Sequence, residues 1–345
     1  MSAEKRGVEI DPEDPVEYFL QDMIFHGRTE RTRSAYERVL RAFESFLQTR
    51  GETLASADQR TCMTWVHTLR DGHADSTIAT YAAYVHRFYT YMSQIGVFET
   101  NPMALVTEEM DESIQTDPTR REISISQMRS FVHDLHHPLE RALIVTLLKT
   151  GLRVGECCNL DLRDVYLADS QVQAAFSAPH RGALDGRPDS IYVPSDPTRG
   201  TEYNGEVRDA SNKRKQDTIL PIDTELKQVL KAWLAIRPDT ASNTTSLFVS
   251  TDEWGRRMTP PMVRNVVMTR AGEHGWYRKG GDAAENVTPH YFRHFFTTHL
   301  RDRTGDRGVV KYLRGDVATD IIDTYTHNWG DRVRTVYEEN IYQLL

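Results

Sequence analysis

Two arginines, a lysine, a histidine and a tyrosine sit in short, ordered settings along this chain of 345 residues. Arg153 lies in Thr150-Gly151-Leu152-Arg153-Val154-Gly155-Glu156, and Lys213 precedes Ile219-Leu220-Pro221. His290 and Arg293 belong to His290-Tyr291-Phe292-Arg293-His294, and Tyr325 opens Tyr325-Thr326-His327. These types suit attack on a phosphodiester by a tyrosine hydroxyl, with no metal in the set. Such a transfer passes through a five-coordinate phosphorus whose negative charge must be met by fixed donors. Arginine is the best of these, always charged and carrying parallel N–H groups. Arg153 and Arg293 are therefore the candidate clamp. A tyrosine hydroxyl with a pKa near 10 is a weak nucleophile at neutral pH and needs a positive field or a base beside it. Lys213 can give a proton to the leaving oxygen, with Lys215 as the alternative.

The spacing supports these roles. Gly151 permits a tight turn ahead of Arg153, and Glu156 can hold the guanidinium in place. His290 and Arg293 are three apart and share a helix face, with Pro289 suited to the first turn. His290 and His294 share a face too, which raises a metal site. However, Tyr-Phe-Arg lies between them, not the Glu of H-E-x-x-H, and a guanidinium between ligands repels a cation. His294 and His299 read as structural. Tyr337 and Tyr342 lie downstream of Tyr325, but neither is followed by Thr-His.

Several elements must carry these residues. In residues 31–48 the apolar set Tyr36, Leu40, Phe43 and Leu47 has helical spacing, and Gly51 is a stop. Arg31, Arg38 and Arg41 fall on the opposite side, as a solvated face or as a basic stripe for a DNA backbone. A short helix over 61–70 carries Trp65, Val66 and Leu69. Asp75-Ser76 can cap another in which Ile78, Tyr81, Val85, Phe88, Met92 and Ile95 step at 3-4-3-4-3. Its many aromatic residues read as core and interface packing before they read as a base-stacking platform. Asn101-Pro102 breaks the pattern, and residues 105–122 are acidic without clear period. The second half restarts at Ser124, with Ser126 a candidate N-cap, then helix–turn–helix over 138–162 around Gly151. Residues 165–222 hold short β-type runs, Ser190-Ile191-Tyr192-Val193 and Thr218-Ile219-Leu220, within a small antiparallel sheet with a long insertion. Helix returns from Asp223 to the end, broken at 278–282. Val333, Val336, Tyr337, Ile341 and Leu344 form a last apolar stripe, to pack in its own domain or on a neighbouring protomer. The fold class expected is mainly α with a small antiparallel β-sheet (α+β). Its parts are a flexible arm (1–14), an all-helical module (15–104), a linker (105–122) and a larger domain (123–345).

A chain of this length suits two domains. No run approaches the 18 or so apolar residues of a membrane span, and Met1-Ser2-Ala3-Glu4-Lys5-Arg6 leads into acid and proline, so a soluble cytoplasmic protein is expected. Cys62, Cys157 and Cys158 match no disulfide or C-x-x-C pattern and read as small buried hydrophobes. The net charge of −8 runs against a simple basic footprint. Yet 34 of the 42 basic residues are Arg, so acid can coat the outside while Arg lines a channel.

The four motifs in this order resemble the tyrosine recombinases, the phage-type integrases and Xer recombinases. In its acidic surface the chain resembles haloarchaeal members, which points to a salty cytoplasm. The resemblance implies an N-terminal helical core-binding (SAM-like) domain and a C-terminal catalytic domain, closing as a clamp on duplex DNA. It implies Arg153, Lys213, His290, Arg293 and Tyr325 as catalytic residues, with Glu156 in support. His290 would contact a nonbridging oxygen and assist proton transfer. Lys213 would sit on a β-hairpin reaching the minor groove, with Arg214 and Lys215 gripping DNA beside it. The activity implied is site-specific strand exchange through a 3′-phosphotyrosine, on double-stranded DNA bearing a specific site. A homotetramer on paired sites is implied, with no cofactor, metal or ATP. A type IB topoisomerase and a catalytically inactive DNA-binding regulator are the alternatives. The family's closing motif begins Leu-Gly-His; here Leu313-Arg314-Gly315-Asp316 stands instead. Asp316 thus takes the place of a His or Trp near the scissile phosphate, to orient Arg293 or His290 or to sit aside while Arg314 takes over.

Overall fold

The computed structural model describes residues 14–114, 119–175, 179–238, 245–253, 255–316 and 329–345. The arm before residue 14, part of the acidic linker, and the segment with Tyr325 and His327 lie outside the described residues. The chain divides into two compact units, Met1–Pro118 and Thr119–Leu345.

Among the described residues the regular elements of the first unit are all helices: α1 (Pro15–Phe25), α2 (Glu30–Gln48), α3 (Gln59–Leu69), α4 (Asp75–Gln94) and α5 (Met103–Glu109). The helices start where short polar side chains take up orphan backbone N–H groups. Asp14, Thr29 and Asp58 accept from Glu17, Thr32 and Thr61. The cap expected at Asp75-Ser76 is displaced: Ala74 is the N-cap without a side-chain bond, and Asp75 begins the helix. There its charge still favours the positive end of the helix dipole. In α2, Leu40, Phe43 and Leu47 are fully buried with Val39, while Tyr36 is partly buried and stacks on Tyr84 at 4.0 Å. Phe43 meets the Trp65 edge at 4.9 Å, and the Tyr89 hydroxyl donates to the Leu54 carbonyl at 2.8 Å. The aromatic residues of α4 therefore build a core, each fully buried one contributing roughly 1.5–3 kcal/mol. The linker expected to begin at residue 105 does not begin there. α5 runs to Glu109 with Met103 and Val106 buried in the same core, a helix too short for its period to show in sequence.

The second unit surrounds α7 (Pro138–Thr150), whose residues Ala142 to Thr150 are all buried. Before it lies α6 (Ile125–His133), capped by Ser124 in a capping box with Gln127, not by Ser126. After it come α8 (Val154–Asn159), β1 (Val165–Tyr166), α9 (Ser170–Ala175), β2 (Ser190–Val193), β3 (Glu202–Tyr203), β4 (Glu206–Val207) and β5 (Thr218–Pro221). Strands β1, β2 and β5 form an antiparallel sheet in that order, with Ile191 opposite Leu220 and Val193 opposite Thr218. β3 and β4 form a separate small hairpin inside the insertion. α10 (Thr224–Ile236), α11 (Pro260–Glu273), α12 (Pro289–Thr304), α13 (Arg307–Arg314) and α14 (Trp329–Asn340) complete the unit. Helix does not run unbroken from α10 to α11, because the intervening chain makes bridges Asp161–Ser246 and Val249–Arg257.

The last stripe packs in its own unit: Val333, Tyr337, Ile341 and Leu344 are buried. A charged clasp fixes it. The fully buried Lys149 ammonium meets Asp223 and Glu225 at 2.6 Å each and the Tyr342 carbonyl at 2.5 Å. Glu225 in turn accepts from the Leu344 and Leu345 N–H groups. All three cysteines are buried, and burial pushes the thiols of Cys62 and Cys158 up to about 12.

Candidate active site

The site is assembled from three turns around α7. Gly151 ends α7 with φ +63°, and a Cβ there would lie 2.4 Å from the Phe296 ring. Only glycine fits both the left-handed backbone and that approach. The turn delivers Arg153 to the start of α8. There Glu156 accepts from the Arg153 backbone N–H and from its Nη1, both at 2.9 Å. Glu156 is wholly buried, so the guanidinium is held from behind by a carboxylate with no solvent around it. The contact is the one the spacing of Arg153 and Glu156 allows.

Arg293 comes from the second turn of α12 and is 3% exposed. Its Nη1 donates to the Gly151 carbonyl at 2.6 Å and its Nη2 to the Arg314 carbonyl at 3.0 Å. Burial first, and then the charge of Arg153, pull its pKa down to about 10, still protonated at neutral pH.

Asp316 joins the two arginines. Its Oδ1 accepts from Arg153 Nη2 at 2.6 Å and from Arg293 Nη2 at 2.9 Å, and its Oδ2 accepts from Arg293 Nη2 at 2.9 Å. Arg314 Nη2 reaches Oδ2 at 2.8 Å. Burial alone would raise this carboxyl, but Arg293, Arg314 and Arg153 hold it below the usual carboxylate range. Of the partners open to Asp316, Arg293 is the one contacted and His290 is not among them, while Arg314 joins the same cluster.

Arg214 is a correction. Expected on an exposed basic tip gripping DNA, its side chain is wholly buried, donating to the Leu313 carbonyl at 3.2 Å and to Glu156 at 3.4 Å. Burial lowers its pKa. Gly315, the left-handed C-cap of α13, packs on it so closely that a Cβ would lie 2.7 Å from Nη1. Arg214 is thus a strut between α8 and α13. The alternation was readable: Asn212 and Arg214 are buried while Lys213 and Lys215 are exposed, the period of two of an extended chain entering β5.

That extended chain lies against α8. Asn159 Nδ2 donates to the Ala210 carbonyl at 2.9 Å and to Asn212 Oδ1 at 2.8 Å, and a Cβ on Gly155 would sit 3.0 Å from the Ser211 carbonyl. The Lys213 backbone is therefore fixed beside the helix that begins at Arg153. Its ammonium, like that of Lys215, is exposed and has no partner among the described residues. His290, one turn before Arg293, is exposed at its surface and likewise has no hydrogen-bond partner there. Partial burial of the ring and the charges of Arg120, Arg293 and Arg314 lower its pKa, favouring the neutral imidazole. Tyr325 lies outside the described residues, and no metal-type cluster of His, Cys, Asp or Glu occurs among the described ones.

In the first unit, Arg31 and Arg38 are exposed, with Arg38 over the Tyr81 ring at 6.0 Å. Arg41 is not free as expected. It is paired with Asp14 at 2.5 Å and Glu44 at 2.9 Å, which largely spends its charge inside the unit.

The sequence pattern of the phage integrase family matches residues 122–331, and that of the phage integrase N-terminal SAM-like domain matches residues 16–95. Tyrosine recombinase XerC of Pseudomonas syringae pv. tomato is 23% identical over 340 residues, covering 94% of this chain and 95% of that protein. XerC of Mycobacterium sp. (strain JLS) is 24% identical over 322 residues, covering 91% and 93%. The fold is shared with the Tn1549 transposon integrase in complex with transposon right end DNA (TM-score 0.64, 20% identity, 94% of this chain and 98% of that one). It is also shared with a lambda integrase dimer bound to a COC′ core site (TM-score 0.60, 12% identity, 87% and 92%). Among the described residues, no helix is long and apolar enough to cross a membrane. With an integrase match over most of the second unit and a SAM-like match over most of the first, the chain belongs to the phage integrase family of tyrosine recombinases.

Proposed function

We propose that the chain is a site-specific DNA recombinase that cuts and rejoins duplex DNA through a 3′-phosphotyrosine on Tyr325. One observation carries this reading: guanidinium nitrogens from two separate helices, Arg153 and Arg293, converge on a single carboxylate oxygen at 2.6 and 2.9 Å. Donors so placed suit the equatorial oxygens of a phosphorus in transfer, and they need no reorganisation when charge develops there. The Tyr325 hydroxyl attacks phosphorus and gives up its proton to solvent, its oxygen forms the new ester, and the bond to the 5′ oxygen breaks. Lys213 gives that oxygen a proton, and His290 takes part in proton movement at a nonbridging oxygen. A 5′ hydroxyl of the partner duplex then attacks the phosphotyrosine and restores the tyrosine. The ester conserves the bond energy, so neither ATP nor a metal enters the scheme. Four protomers would hold two duplexes for exchange. The solved relatives in complex with transposon end DNA and bound to a core site support DNA as the partner. Arg31, Arg38 and Lys215 would contact phosphates, with Arg41 contributing less because of its internal pairs.

The test is a pool of nicked suicide duplexes tiling the DNA on either side of the gene, incubated with the protein in excess EDTA. A covalent protein–DNA adduct that disappears in Tyr325→Phe is expected. Tight binding of the same duplexes with no adduct would make the chain an inactive DNA-binding regulator.

A further inference from the structure

The arginine clamp is already occupied by the protein's own carboxylate, and that carboxylate is not needed to orient it. Arg153 is held from behind by buried Glu156, and Arg293 by the Gly151 carbonyl. What Asp316 takes is the remaining face: one Nη2 each from Arg153, Arg293 and Arg314, shared over two oxygens between 2.6 and 2.9 Å. Guanidiniums bind carboxylate and phosphate oxygens with the same paired geometry. The floor of the cluster, Glu156, Arg214 and Arg293, is buried, whereas the side chains of Arg153, Asp316 and Arg314 are 29%, 27% and 31% exposed. The carboxylate therefore sits at the mouth, where a solute phosphate would arrive.

We propose that Asp316 is an internal stand-in for phosphate, which a DNA phosphate must displace from the clamp, and that Arg314 is a third phosphate ligand there. This rests on the recombinase reading of the site. The Asp316 backbone N–H is tied to the Lys311 carbonyl at 3.0 Å and Gly315 is wedged on Arg214, so release needs only rotation of the Asp316 side chain. Arg314 has no fixed acceptor behind it: its Nε is buried without a partner, and among the described residues its guanidinium is paired with Asp316 alone. It is free to follow whichever anion occupies the seat. With Asp316 in place, its carboxylate offsets one of the clamp's positive charges and fills the face that an isolated phosphate would need. A phosphate presented by a duplex held along the whole protein can displace it, so the clamp responds to bound DNA and not to free anions.

Inorganic phosphate, titrated calorimetrically into the full chain at fixed chloride ionic strength, tests the proposal. If the carboxylate fills the clamp nine-tenths of the time or more, affinity is reduced about tenfold or more. Asp316→Asn and Asp316→Ser should then bind phosphate at least about tenfold more tightly than wild type, and adding Arg314→Ala to Asp316→Asn should reverse most of the gain. Affinities for both single variants within threefold of wild type, or weaker, overturn it and make Asp316 an orienting group. A crystal of the unaltered protein grown in phosphate gives a second reading. Phosphate between the three guanidiniums with Asp316 rotated outward supports the proposal, and Asp316 still in place with phosphate elsewhere overturns it. Phosphate titration involves no strand cleavage, so these results stand apart from the adduct assay.

Discussion

Arg153, Arg293 and Arg214 are each held by two or more acceptors, whereas Lys213 and His290 stand exposed without partners among the described residues. Both sets belong to the second unit, and two of the members, His290 and Arg293, are one helical turn apart. The difference follows the work proposed for each. Donors that meet charge on a transferring phosphoryl group act best when fixed in advance. A proton donor must reach a leaving oxygen and come within about 3 Å of it, which a mobile lysine on a fixed backbone can do. The same sequence therefore uses glycines and buried acids to immobilise one set, and an alternating extended chain to present the other.

The comparison is broken most severely by removing the buried anchor. Glu156→Ala leaves the Arg214 guanidinium buried with no counter-ion, since its remaining acceptor is the Leu313 carbonyl. Loss of one partner of such a pair costs about 3–5 kcal/mol, so thermal or urea unfolding should show a marked loss of stability. Next, Arg153→Ala and Arg293→Ala should each slow single-turnover adduct formation by on the order of 10²–10³, as for other lost transition-state donors. A loss below tenfold in both would remove them from the clamp. Lys213→Ala should lower the same rate by about 10² and leave the unfolding midpoint within about 0.5 kcal/mol of wild type, as for exposed residues. That split between rate and stability is what separates a presented group from an anchored one. Lys215→Ala serves as its control; a larger loss there than in Lys213→Ala would exchange their roles.

The smallest effect concerns pH. The Asp316 carboxyl is depressed in the folded protein by Arg293, Arg314 and Arg153. Its contribution to stability is present above the ordinary carboxylate value near 3.9 and is lost as pH falls through the lower folded value. Unfolding temperature should therefore fall more steeply below about pH 4 in wild type than in Asp316→Asn. Parallel curves would mean that the three arginines do not act on this carboxylate in solution.

Much of this arrangement was legible residue by residue. Gly151 announced a turn, Glu156 the support for Arg153, and the His290–Arg293 spacing a shared helix face, because each is a local consequence of backbone geometry. The runs at 190–193 and 218–220 gave the sheet, and the 3-4 spacing gave α2 and α4. What escaped depends on contacts between distant segments. Nothing local distinguishes Arg214 from Lys213 and Lys215 except the alternation of an extended chain, and its burial is set by Leu313 and Glu156, far along the sequence. Asp316 in the clamp required knowing that Gly315 lets the α13 terminus close on Arg214. The internal pairing of Arg41 required Asp14, 27 residues earlier and on another helix's cap. The apolar stripe of α14 gave its own burial but not the Lys149 clasp, because a buried lysine inside an apolar helix gives no sign of its partners.

Peptide mapping of the trapped protein–DNA adduct tests the chemistry most directly. The expected result is a 3′-phosphate of the DNA carried on the peptide containing Tyr325, with a free 5′ hydroxyl on the released strand. Attachment to Tyr337 or Tyr342, a 5′-phosphate linkage, or strand cleavage with no protein attached would contradict it.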